Sequence, residues 1–214
     1  MGDLCFQDGE KVLFIGDSIT DCGRRAQAAP LGDGYVSLLH DLVIGGWPER
    51  NITWVNKGIG GNKVTDLQLR WEDDVIREQP DWLSIKIGIN DLHTHLRGDP
   101  GGVSPAIFRE VYEEILARAA EKMKAELVLI TPFYVSTDDS RQSFRTQVLE
   151  ILPEYIATVE EMAEKLSARL VRLQPMFERQ LEFRAPDVFC PEPVHPYRTG
   201  HLLIAQEVLR VLCE

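Results

Sequence analysis

The chain has 214 residues, 44% of them hydrophobic, and 34 acidic against 23 basic side chains give it a formal net charge of −11. This length and apolar content describe a single domain spanning 1–214 with a full core, and they exclude a disordered chain. The acidic balance argues against nucleic acid or an anionic membrane as partner and mildly favours a neutral substrate. No apolar run approaches membrane-spanning length. The first ten residues lack the basic start and apolar core of a signal peptide. Cys5, Cys22, Cys190 and Cys213 form neither a C-x-x-C pair nor a zinc-finger spacing. A cytoplasmic protein with reduced thiols is therefore expected.

In chain order, the first strand is predicted over 11–15. Its run Val12-Leu13-Phe14-Ile15 suits a strand buried on both faces, and it stops at Gly16 before Asp17-Ser18-Ile19-Thr20-Asp21. A serine there stands at the carboxyl edge of a sheet, where open α/β folds bind ligands. Ser18 is thus a candidate nucleophile, although Asp17, Ser18 and Thr20 read equally well as a helix cap. A helix over 34–44 follows, then a strand over 52–56 leading into Asn56-Lys57-Gly58-Ile59-Gly60-Gly61-Asn62. Three glycines in four residues make a turn whose N–H groups can approach a ligand closely. Next come a helix over 63–78 and a strand over 82–87 ending in Gly88-Ile89-Asn90-Asp91. A helix over 105–124, a strand over 126–131 running into Pro132-Phe133-Tyr134, a helix over 142–168 and a strand over 170–173 complete the alternation. A final helix spans about 199–212. Strands alternating with helices imply a mostly parallel five-stranded sheet covered on both faces, an α/β three-layer α/β/α sandwich. The strand ends, and the groups they carry, then emerge on one edge with Ser18.

A serine needs a base to remove its proton. Of the five histidines, His40 lies in a helical pattern and His201 begins the last helix, so both suit structural roles. His93-Thr94-His95 has the look of a metal pair but lacks a third ligand in view, and reads better as a cleft wall. His195 sits in the proline-stiffened loop Glu192-Pro193-Val194-His195-Pro196, the kind of setting that holds a catalytic side chain. Glu192 can turn back on the imidazole as the orienting acid, although an acid three residues before a histidine is common by chance. The Ser18 N–H, the Gly61 N–H and the Asn90 amide are candidate oxyanion donors. Asp17, Asn62, His93 and Tyr134 neighbour these groups and are candidate substrate contacts.

These blocks, Gly16-Asp17-Ser18-Ile19, Asn56 to Asn62, Gly88-Ile89-Asn90-Asp91 and Glu192 to Pro196 followed by Gly200-His201, together resemble the SGNH hydrolase superfamily of GDSL esterases, over essentially the whole chain. The resemblance implies a flavodoxin-like sandwich and ester hydrolysis without metal or other cofactor. It makes Ser18 nucleophile and oxyanion donor, Gly61 and Asn90 the other donors, and His195 the base. One departure is Glu192, where the family usually carries aspartate; Asp187 is a weaker substitute, and a dyad is the remaining alternative.

A closer likeness is to bacterial acetylxylan esterases of the SGNH type. It is carried by Lys11 to Arg24, Gly34-Tyr35-Val36, Arg70-Trp71-Glu72-Asp73-Asp74-Val75, Pro80-Asp81-Trp82 and Thr131-Pro132-Phe133-Tyr134. It implies a small neutral ester or an acetylated oligosaccharide as substrate. A lysophospholipase or acyl-thioesterase of the same superfamily, and a non-catalytic flavodoxin-like binding module, are the competing readings. Self-association stays open: Trp47, read as exposed, could serve a homo-oligomer contact or pack locally.

Overall fold

The computed structural model describes residues 2–213. Five parallel strands form one sheet in the order β2-β1-β3-β4-β5: β1 (Lys11–Gly16), β2 (Thr53–Asn56), β3 (Trp82–Lys86), β4 (Glu126–Ile130) and β5 (Arg169–Val171). After β2 the chain crosses back over β1 to lay down β3. The strand order therefore reverses between β1 and β3, and a crevice opens beyond their carboxyl ends, the usual ligand site of such sheets. These two central strands are buried almost throughout, whereas β2 and β5 at the edges are half-exposed. Gly16 ends β1 because nothing larger fits. A Cβ built there would lie 2.2 Å from the Lys86 carbonyl oxygen.

Eight helices complete the described fold: α1 (Ser18–Asp21), α2 (Tyr35–Gly46), α3 (Val64–Trp71), α4 (Ile89–Arg97), α5 (Pro105–Lys122), α6 (Phe144–Leu166), α7 (Leu173–Leu181) and α8 (Arg198–Leu212). α2 packs on α8 over one face of the sheet, while α5 packs on α3 and α6 over the other. The sandwich and the parallel sheet agree with the expectation from the sequence. The apolar core runs without a break from Leu4 to Leu212. Trp47 is buried in it and packs locally.

Three expectations need correction. The helix expected over 63–78 ends as α3 at Trp71 and continues as a π-helical turn, Glu72–Ile76. The wider turn lets the adjacent Val75 and Ile76 both face inward, where each is buried. The chain after Gly88, where no helix was expected, forms α4, which carries His93. The last strand ends at Val171, and Leu173 opens α7 instead, with Pro175 in its first turn, where a missing N–H costs nothing.

Candidate active site

β1 delivers Ser18 to the crevice through a single residue, Asp17. The Asp17 side chain accepts the Ile19 N–H at 3.0 Å and so caps α1, whose first residue is Ser18. The other Asp17 oxygen lies 3.1 Å from Lys86 Nζ, and both side chains are fully buried. Burial pulls the Lys86 ammonium below the ordinary lysine pKa, and Asp17 opposes that shift. The expectation that Asp17 touches substrate is therefore overturned. A carboxylate sealed from solvent and paired with a lysine holds the elbow under Ser18.

His195 arrives from the loop before α8. Val135 N–H donates to the Pro193 carbonyl at 2.9 Å, and Tyr197 N–H to the Phe189 carbonyl at 2.7 Å, so the loop is pinned on both sides. His195 Nε2 stands 2.9 Å from Ser18 Oγ, a pair 177 residues apart in the chain. Its Nδ1 lies 2.5 Å from Glu192 Oε1. Glu192 also accepts the His195 N–H at 2.7 Å and the Val194 N–H at 3.0 Å. Burial pushes the Glu192 carboxyl up, but the two N–H donors and the imidazole outweigh it and hold its pKa below the ordinary value. An ionised Glu192 fixes the proton on Nδ1, leaving Nε2 to accept from the serine. Asp187 lies on a separate short 3₁₀ turn, Pro186–Val188, and makes no hydrogen bond or ion pair with His195 among the described residues.

The donor side is built from the turn after β2 and the start of α4. Gly61 has φ +81°, a left-handed conformation that favours glycine, and nothing stands within 4 Å of where its Cβ would be. Neither the Ser18 N–H nor the Gly61 N–H has an acceptor among the described residues. Asn90 Nδ2 donates to the Asn62 carbonyl at 3.0 Å, which brings its amide against the residue next to Gly61. Unmade bonds on two backbone donors beside a side-chain amide suit an anionic oxygen.

Four side chains hold this turn in place, and none was singled out for this work from the sequence. Asp21 accepts the Gly60 N–H at 3.0 Å, tying the glycine turn to the helix that carries Ser18. Asn56 donates to the Thr20 and Leu31 carbonyls at 2.7 Å each and accepts the Gly58 N–H. Arg70 donates to Asn62 Oδ1 at 2.9 Å and to the Lys57 carbonyl at 2.8 Å. Asp91 is fully buried, and its Oδ1 accepts the Val64 N–H at 2.9 Å, fastening α4 to α3. Burial raises the Asp91 carboxyl to about 7. All four lie in stretches that carry the family resemblance, but no local signal sets them apart there as braces of this turn.

The remaining candidate contacts sort themselves by burial. Asn62 has its carbonyl and its side-chain oxygen both engaged in bracing the turn, while its side-chain Nδ2 has no partner among the described residues. Tyr134 is only 3% exposed, and its ring stands edge-on behind His93, with centroids 5.7 Å apart. It backs the wall and does not present a face to substrate. His93 packs 5.3 Å from Phe144, and its buried Nε2 has no hydrogen-bond partner. Burial and the nearby Arg97 lower its pKa to about 4, so its imidazole is neutral at pH 7.

Comparison with known proteins agrees with this arrangement. Residues 14–203 match the model of the GDSL-like Lipase/Acylhydrolase family. An acetylxylan esterase of Geobacillus stearothermophilus is 38% identical over 210 residues, covering 94% of this chain and 93% of that one. The crystal structure of a catalytic mutant of Axe2, an acetylxylan esterase from the same organism, superposes with a TM-score of 0.89 at 34% identity, covering 98% and 96% of the two chains. LAE5, an α/β hydrolase from the metagenome of Lake Arreo, Spain, superposes at 0.87 with 31% identity, covering 98% of each. A parallel sheet with a serine and a histidine in contact at its switch point, matched across this span, makes the chain a carboxylic ester hydrolase that belongs to the GDSL-like lipase/acylhydrolase family.

Proposed function

We propose that the protein removes acetyl groups from neutral carbohydrate, with acetylated xylo-oligosaccharides as the substrate class. The observation that carries the chemistry is the continuous relay from Ser18 Oγ through His195 to Glu192. The substrate class is supported by the likeness to acetylxylan esterases along nearly the full chain. Ser18 Oγ attacks the acetyl carbonyl as its proton passes to His195 Nε2. The negative oxygen is received by the Ser18 and Gly61 N–H groups and the Asn90 amide, each donor supplying about 3–4 kcal/mol of barrier lowering. Collapse expels the sugar alkoxide, which takes the proton from His195 and leaves an acetyl-enzyme. His195 then draws a proton from water, which attacks the ester and releases acetate and free serine. A reducing compartment is part of this reading, and the four unpaired cysteines support it.

Ser18→Ala and His195→Ala should each abolish turnover of 4-nitrophenyl acetate while far-UV circular dichroism stays that of the folded protein. Undiminished turnover in either variant would reject the mechanism. A series of acetyl, butyryl and octanoyl aryl esters tests the acyl preference, expected to fall with length. A preference for octanoyl would replace the acetyl reading by a lipid-ester one.

A further inference from the structure

The hydrogen-bonded tips of Ser18 and His195 open onto a cavity of about 380 Å³, whose other walls include Cys22, Asp33, Arg198 and His201. A larger groove of about 520 Å³ runs past Asp138, Arg145 and Glu192, but neither reacting side chain lines it. The smaller cavity falls within the ~300–1,000 Å³ usual for small-molecule sites, and it is the one that reaches the chemistry.

His195 decides which half of an ester enters that cavity. The proton taken from Ser18 must pass from Nε2 to the departing alcohol oxygen, so the alcohol half lies on the imidazole side. The wall there carries one charge of each sign. Asp33 stands in the turn before α2, and Arg198 is the first residue of α8. Both are exposed, and neither side chain makes a hydrogen bond or ion pair among the described residues. An unpaired carboxylate accepts from hydroxyl groups, and an unpaired guanidinium donates to hydroxyl or ring oxygens.

We infer that Asp33 and Arg198 form the subsite for the alcohol half of the substrate, and that its ligand is a neutral polyhydroxylated alcohol held between the carboxylate and the guanidinium. The inference rests on the sugar-acetate reading given above and adds the residues that select the alcohol. An anionic sugar would meet the Asp33 carboxylate, and an apolar alcohol would displace water from both charges without replacing its hydrogen bonds.

The test compares Asp33→Ala and Arg198→Ala with the wild type on two substrates, an acetylated methyl xyloside and 4-nitrophenyl acetate, which offers the cavity no hydroxyl groups. In each variant the ratio of kcat/KM for the xyloside to that for the aryl ester should fall about tenfold, one charge-assisted hydrogen bond's worth. The loss should appear in KM, because these bonds are made in the ground state and the transition state alike. A ratio unchanged in both variants would overturn the subsite while leaving the sugar-acetate reading in place. A wild type that cleaves the aryl ester but not the xyloside would overturn that reading, and the subsite with it.

Discussion

Glu192 carries one methylene more than aspartate, and its carboxylate uses that reach to grip the His195 ring and two backbone N–H groups of the same loop. The acid therefore shapes the loop as well as orienting the base. Glu192→Gln exchanges the acceptor facing Nδ1 for a group that can turn a donor there, which favours the wrong imidazole tautomer. It should lower kcat on 4-nitrophenyl acetate by roughly 10³–10⁴. Asp187→Asn, on its separate turn, should change kcat little. Steady-state kinetics on the two variants decides the matter, and the reverse ranking would move the role to Asp187. The carboxylate three residues before His195 was legible in the sequence. That it closes on Nδ1 was not, because the turn of the loop depends on the backbone bond from Val135.

At the level of elements, the junction of β1 and β3 carries the site. Gly16 pairs with Lys86 across these strands, and that register sets the Lys86 ammonium against Asp17. The ammonium also lies 5.2 Å from the centre of the Phe133 ring. A buried ion pair adds little net stability over apolar residues, but breaking one by removing a partner is costly. Lys86→Met should therefore lower unfolding free energy by about 3–5 kcal/mol, because it strands the Asp17 carboxylate. Adding Asp17→Asn should restore most of that loss, since a neutral amide can still cap the Ile19 N–H. Urea denaturation of the single and double variants measures both. A Lys86→Met protein as stable as the wild type would show that the pair does not hold this junction.

For the molecule as a whole, acid stability reflects groups buried far apart. Burial of His201 behind Cys22 lowers its pKa from 6.5 to about 4. The unfolded chain takes up that proton near pH 6.5 and the folded chain only near 4, so the unfolded state binds more protons in between. Stability from this group is full above about pH 6.5, falls as pH drops toward 4, and changes no further below. The shift corresponds to roughly 3 kcal/mol. Asp91 acts in the opposite sense: its raised carboxyl gains a proton in the folded state first, so stability rises as pH falls below about 7. The difference between wild type and His201→Gln isolates the histidine. The wild type should lose roughly 3 kcal/mol relative to the variant between pH 6.5 and 4, read from urea curves at each pH. A difference independent of pH would mean that His201 is protonated equally in both states.

The alternation of apolar strands with helical patterns, and the glycine-bounded strand ends, were set by the sequence alone, because hydrophobic period and turn residues act over a few neighbours. The same local signals marked Ser18, Gly61, Asn90 and His195. α4 and α7 escaped them because the polar run at His93 and the proline at 175 imitate loop signals. Only the tertiary structure decided that Asp17 and Tyr134 are buried and that Lys86, read as part of an apolar strand, meets Asp17 across 69 residues. Burial and partnership at that distance follow from strand order and register, which no short window of residues contains.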